Sequence, residues 1–174
     1  MLFRSGRREA FDTLVRRHQG RVLRLAHKYL ADKGAARDAA QATFVELFRY
    51  LPRYQPRGLF LVLLQRIALN QCRMYGRSRT SQGRAVEELA WQPEAPPPQA
   101  PDALLLAREQ RREVEQALTG LSTKLREVLV LRYANDCSLE EVAQILELPV
   151  GTVKSRLFAG LAKLRQKLER VEAP

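Results

Sequence analysis

Little in this chain can hold a metal ion or a disulfide. It has two cysteines, Cys72 and Cys137, and two histidines, His18 and His27, all far apart. No Cys/His spacing resembles a zinc site, so no metal is expected. Both cysteines lie beside helical apolar positions. Each is expected as a buried free thiol, consistent with a reducing compartment. Long apolar runs are also missing. The longest, Leu59 to Leu64, is far too short to span a bilayer. Met1-Leu-Phe-Arg leads straight into Arg7 and Arg8, without the apolar core of a signal peptide. A cytoplasmic location is the expectation. No Gly-rich phosphate loop follows a strand, and the acids show no paired general-acid geometry. No catalytic residue and no cofactor are expected, and the chain is read as a non-enzyme. Acidic residues are scarce too, 19 against 30 Lys plus Arg, which leaves a net charge of +11.

That excess favours a polyanionic partner, nucleic acid ahead of an anionic membrane surface. It is unevenly placed. Residues 1–84 hold 18 basic and 5 acidic residues, and residues 148–174 hold 6 and 2. Residues 113–147 hold 3 basic and 7 acidic residues. Two positive blocks with an acidic zone between them fit two binding surfaces better than one.

The most informative stretch runs from Ser138 to Leu168. Ser138 and Glu141 have capping-box spacing. Leu139, Val142, Ala143 and Leu146 follow on one helical face. Pro149 interrupts the run. Val153, Leu157, Leu161, Leu164 and Leu168 then form the apolar stripe of a second helix. Two short amphipathic helices across a tight turn, the second rich in Lys and Arg, make a helix-turn-helix pattern. Its reading residues fall on Gly151, Thr152, Val153, Lys154, Ser155 and Arg156. Arg156 is placed to pair with a guanine, and Lys154 and Thr152 to hold phosphates. The bland alternative is a helical hairpin with a solvated basic face.

Upstream, residues 8–31 read as helix, with Gly20 a candidate bend. Asp32-Lys-Gly34 reads as a turn. A second helix, from about 35 to 51, carries the stripe Ala36, Ala40, Phe44, Leu47 and Leu51 and ends at Pro52. Asp38, Gln41, Val45 and Phe48 lie off that stripe, as a partner surface would; the alternative is that Phe48 packs on a neighbouring helix. After a loop at Tyr54–Gly58, a third helix runs from about 59 to 75. Leu63, Leu64, Ile67, Ala68 and Cys72 can face inward, and Gln65, Asn70, Arg73 and Arg77 outward. Arginines with Tyr54, Phe60 and Tyr75 nearby suit a single strand, whose bases stack and whose phosphates pair. From Gly76 to Pro101 the chain turns polar and then Pro-rich, as a semi-rigid spacer does. Val86–Trp91 is a short apolar patch inside it. Asp102 is placed to cap a helix whose inner side is Leu106, Val114 and Leu118, and Ser122 to cap the next. The expectation is an all-α chain of two small helical domains, 1–80 and 103–174, joined by a Pro-rich linker, 81–102.

Leu121–Tyr133, Ser138–Leu146 and Pro149–Leu157 resemble region 4 of the extracytoplasmic-function (ECF) sigma factors, in the sigma-70 family. Phe11-Asp-Thr-Leu, Asp38–Phe44 and Arg66–Asn70 resemble region 2 more loosely. The resemblance implies a protein that binds core RNA polymerase and directs it to promoters. Region 4 would read the minus-35 element of promoter DNA through Gly151–Arg156. Region 2 would bind polymerase through Asp38, Gln41, Phe44, Leu47 and Phe48. It would capture the melted minus-10 element near Tyr54, Asn70, Arg73 and Arg77. An anti-sigma factor is an implied partner. The rival is a free-standing helix-turn-helix regulator that dimerises on an operator. Some positions depart from the family pattern. Leu63 stands where the family has tryptophan and Leu69 where it has a basic residue, which implies weaker minus-10 capture. Glu147 replaces a turn glycine. Ala159 and Leu161 replace basic residues, so fewer phosphate contacts are expected there. Gly160 inside a helix is expected to cost about 0.5–1 kcal/mol relative to alanine.

Overall fold

The computed structural model describes residues 8–55, 58–82, 110 and 112–172. The third helix runs on to Gln82, so the first residues expected in the spacer, from Gly76, are helical instead; the Pro-rich remainder with its Val86–Trp91 patch lies outside the described residues, as do Asp102 and Leu106. Among the described residues there is no strand, and the fold is all-α. The helices are α1 (Arg8–Leu30), α2 (Lys33–Tyr50), α3 (Phe60–Gln82), α4 (112–119), α5 (Thr123–Leu129), α6 (Leu139–Leu146) and α7 (Val150–Glu172). Among the described residues no helix is long and apolar enough to cross a membrane.

Gly20 does not break α1, which runs straight through it. One glycine in a long helix costs too little to interrupt tertiary packing on both sides. Asp32 does more than turn the chain. Its carboxylate accepts from the Ala35 amide at 2.6 Å and caps α2. Ser122 precedes α5 but makes no side-chain cap bond. The α4–α5 corner is held from the other side by Arg126, whose guanidinium donates to the carbonyls of Leu118, Thr119 and Leu121. After α5 the helix widens into a π-helical turn at Val130–Ala134.

α1, α2 and α3 pack against one another, and α5, α6 and α7 form a second group. The largest core does not stop at the boundary between them. Val22, Leu25, Leu64, Ala68 and Leu69 belong to one buried cluster with Val128, Val130, Leu131, Val142 and Ile145. α1 meets the π turn and α3 meets α6 across this seam. A smaller cluster, Leu118, Leu121, Leu125 and Leu129, ties α4 and α5 to Leu157 and Leu164 of α7.

The seam corrects one expectation and explains a departure. Gln65 is not outward-facing. It is buried, its amide meets that of Asn135 at 2.9 Å, and its Nε2 donates to Cys137 Sγ at 3.1 Å. Period counting on α3 alone could not anticipate a second covered face. Leu69 is buried at 1% exposure, where a cation would be stranded, so its apolar character serves this packing.

Gly160 is likewise bound to packing. A Cβ there would lie 3.1 Å from Leu129 Cδ1 and 3.2 Å from its Cγ, and Leu129 is itself buried. Gly160→Ala is therefore expected to yield none of the roughly 0.5–1 kcal/mol of helix propensity. Thermal denaturation should show an unchanged or lower Tm. A rise of about 2–4 °C, the size that 1 kcal/mol gives in a chain of this length, would mean that Leu129 yields freely.

Both cysteines are buried and free. Burial pushes the Cys72 thiol up to about 12 and moves the Cys137 thiol in the same direction. At pH 8 the thiolate fraction of Cys72 is then about one in ten thousand. A disulfide reagent should label neither thiol of the native protein within minutes, and both in denaturant. Fast labelling of Cys137 alone would show the seam opening on that timescale.

Candidate nucleic-acid interfaces and an apolar groove

The α6–α7 pair is built as the sequence predicts. Ser138 Oγ accepts from the Glu141 amide at 3.1 Å, and the Glu141 carboxylate accepts from the Ser138 amide at 2.8 Å. α6 ends at Glu147, which holds a left-handed conformation at φ 56°. A residue with a Cβ is uncommon there. The Leu148 amide returns to the Ala143 carbonyl. The Pro149 carbonyl then accepts from Thr152 and Val153, which starts α7.

Gly151, Lys154 and Ser155 are exposed on the first turns of α7, and Thr152 and Arg156 are half-buried. Val153 is fully buried and reads nothing. It is the residue that seats the helix, as its place in the apolar stripe also required. Leu161, counted in that stripe, is 37% exposed, and buried Gly160 lies against the core instead. Ala159 is exposed as well, so this stretch offers no cation. One exposed side chain went unmarked in the sequence. Phe158 is 73% exposed, four residues beyond Lys154 and on the same helical face. An apolar residue next to an apolar stripe gives no periodic sign that it points out.

α1 and α2 leave an apolar groove of about 380 Å³ between them. Phe11 and Val15 line it from α1, and Gln41, Phe44, Val45, Phe48 and Arg49 from α2. Phe48 is 54% exposed and meets Phe11 edge-on at 5.0 Å. Asp38 and Gln41 are exposed, and Phe44 is half-buried. Leu47 has no exposed surface and cannot contact a partner. It is a core residue of α2, as its stripe position also implied.

The residues grouped for a single strand are not all together. Tyr54 is half-buried and its ring meets Phe60 at 6.1 Å, at the start of α3. Phe60 meets His18 at 5.4 Å. Burial, then Arg17 and Arg21, hold the His18 imidazole below its usual range. Asn70 begins ten residues further along, about 15 Å at 1.5 Å per residue. Asn70, Arg73 and Arg77 share one side of α3, with Asn70 and Arg77 exposed. Arg73 is engaged. Its Nε and Nη2 donate to the two carboxylate oxygens of Glu127 at 2.7 and 2.8 Å, and its Nη1 donates to Asn70 Oδ1 at 3.1 Å. That bond to Glu127 raises the Arg73 guanidinium further above its ordinary range. Among the described residues no His/Cys/Asp/Glu group of three or more could hold a metal ion.

Comparison with known proteins covers both groups of helices. Residues 14–82 match the family model of sigma-70 region 2, and residues 111–164 that of sigma-70 region 4. The ECF RNA polymerase sigma-E factor of Escherichia coli is 30% identical over 181 residues, covering 95% of this chain and 90% of that protein. The RNA polymerase sigma-H factor of Pseudomonas aeruginosa is 29% identical over 171 residues, covering 94% and 89%. Among solved structures, CnrH in complex with the cytosolic domain of CnrY aligns with a TM-score of 0.73 at 28% identity, covering 99% of this chain and 95% of that one. RpoE in complex with the anti-sigma factor NepR, from Bartonella quintana, shares the fold, with a TM-score of 0.69 at 24% identity.

Proposed function

Because this chain belongs to the ECF sigma factors of the sigma-70 family, we propose that it divides one promoter between two surfaces while riding on core RNA polymerase. It is a non-enzymatic initiation factor, and the match of both regions leaves no need for a free-standing regulator. Two helical domains joined by a tether are part of this reading; α3 runs to Gln82, so the first domain extends past the boundary expected at residue 80.

The observation that carries the proposal is the exposed first two turns of α7. Buried Val153 fixes the helix, and Lys154, Ser155, Thr152 and Arg156 stand where the N-terminal residues of a recognition helix meet base edges. Arg156 supplies a guanine contact, and Phe158 an apolar surface suited to a thymine methyl. Polymerase takes the α1–α2 groove, with Phe48 and Phe44 as anchors and Asp38 and Gln41 at the rim. Asn70, Arg73 and Arg77 take the melted minus-10 strand, and Tyr54 lies one helix length away as a stacking platform. The protein acts in the cytoplasm. An anti-sigma polypeptide is a partner in this reading: CnrH was solved in complex with the cytosolic domain of CnrY, and RpoE with the anti-sigma factor NepR.

Transcription with purified core polymerase on a library of genomic fragments is the test. Promoter-specific transcripts should appear only when both are present. The isolated protein should bind promoter duplex weakly, with affinity falling steeply as salt rises. Tight binding of the isolated protein to a palindromic site would overturn the division of labour.

A further inference from the structure

A cationic stripe runs along α1 beside a row of rings, and neither the α3 face nor the first turns of α7 account for it. Arg17, Arg21, Arg24 and Lys28 follow one another at helical spacing and fall on one face of α1. Lys28 is taken by Glu115 at 2.6 Å. Among the described residues Arg17, Arg21 and Arg24 have no ion pair. No acidic residue lies between Asp12 and Asp32. Exposed arginines elsewhere in the chain do have a carboxylate one turn away, Arg49 in Glu46 and Arg165 in Glu169. A face that served only to keep α1 in water would carry such partners too.

The rings lie at the first end of the stripe. His18 of α1 meets Phe60 of α3 with centroids 5.4 Å apart, and Phe60 meets Tyr54 edge-on at 6.1 Å. All three residues are half-buried, so each keeps some surface toward water. Burial, then the charges of Arg17 and Arg21, hold the His18 imidazole below its usual range, so at pH 7.5 it is a neutral ring beside two guanidinium groups. Accessible rings joined to unpaired arginines suit a single strand, whose bases stack and whose phosphates pair. A duplex has no unstacked base to offer them.

We propose that α1 carries a further contact for single-stranded nucleic acid: a base rests on the His18–Phe60–Tyr54 row while Arg17, Arg21 and Arg24 hold the adjoining phosphates along about 10 Å of helix. The proposal rests on the reading of Tyr54 as a stacking platform and is independent of Asn70, Arg73 and Arg77. It supplies stacking and backbone contacts that α3 lacks, with Leu63 and Leu69 where the family pattern has a ring and a cation.

The full chain is titrated into a dye-labelled 20-nucleotide single strand of random sequence, and into a labelled duplex of the same length, with anisotropy read across a salt series. Each phosphate contact on a single strand contributes about 0.7 to the slope of log K against log salt, so Arg17→Gln with Arg24→Gln should lower that slope by about 1.4. Arg17→Lys with Arg24→Lys should restore it. Arg16→Gln removes a charge from another face of α1 and should leave it unchanged, which separates a site from net charge. His18→Ala should weaken strand binding about fivefold or more at an unchanged slope, because stacking releases no counterion. Arg16, Arg17 and Arg24 are exposed, so these variants should fold, which circular dichroism checks. The proposal is overturned if the Arg17→Gln, Arg24→Gln slope equals the parent's, if Arg16→Gln lowers it as much per charge, or if the duplex slope falls as far. Absence of measurable strand binding by the parent at low salt would overturn it as well. Tyr54→Ala checks the reading beneath it. Strand affinity indifferent to Tyr54→Ala, with the α1 variants still impaired, would remove the minus-10 role of Tyr54 and leave the stripe standing with His18 and Phe60.

Discussion

Phe48→Ala is expected to weaken binding to core RNA polymerase by roughly 30-fold or more, the effect of losing an aromatic anchor that contributes about 2 kcal/mol. The ring is more than half exposed, rests on Phe11, and overhangs a groove whose other walls are Val15, Phe44 and Val45. An apolar concavity of this size on a chain with so much charge needs a cover. Truncating Phe48 removes its edge contact with Phe11, but the ring is more than half exposed and lies outside the buried core cluster, so stability should change little. Affinity for core polymerase, measured by fluorescence anisotropy of labelled protein, and Tm should therefore separate. Equal polymerase affinity for Phe48→Ala and the parent would move the interface elsewhere. Leu47→Ala should do the reverse. It empties a fully buried site and should cost about 2–5 kcal/mol of stability, with any loss of binding following from unfolding.

Arg156→Ala is the second large effect. A bidentate arginine–guanine pair discriminates by about 1–3 kcal/mol, or roughly 5–150-fold. Transcription from promoters with an intact upstream element should fall by that factor, while polymerase affinity stays where it was. Lys154→Ala should act differently. A phosphate contact carries no sequence information, so its loss should weaken all promoters alike and reduce the salt slope by about one. Transcription assayed across a set of upstream-element variants distinguishes the two. If Arg156→Ala leaves the preference among those variants intact, α7 does not read bases through this residue.

The sequence was most legible where local chemistry decides structure. Ser138 and Glu141 form their reciprocal cap within four residues, and Pro149 sets the turn, so no distant contact is needed to foresee α6 and α7. It was least legible where a second domain covers a helix that already has one buried side. Gln65 reads as a solvent-facing position on α3 until Asn135 and Cys137 arrive from beyond residue 130. Arg73 reads as an outward-facing cation for the same reason, until Glu127 of α5 meets it. Within the candidate sites, spacing found the right helices and turns but blurred single positions. Val153 and Leu47 sit among exposed neighbours in the sequence, yet helical geometry turns both fully inward. Phe158 is the opposite case, an aromatic residue beside the apolar stripe that the packing of Gly160 on Leu129 leaves outside.

The apolar cluster shared by the two halves bears on how the protein is made. Synthesis delivers α1, α2 and α3 first, while the residues that complete their packing, Val128 to Ile145, are still untranslated. A nascent chain at that stage shows water an unfinished aliphatic surface around Val22, Leu64 and Leu69. The interval before α5 and α6 leave the ribosome is then the period of greatest danger from aggregation, and a fragment stopped at residue 82 should inherit that stickiness permanently.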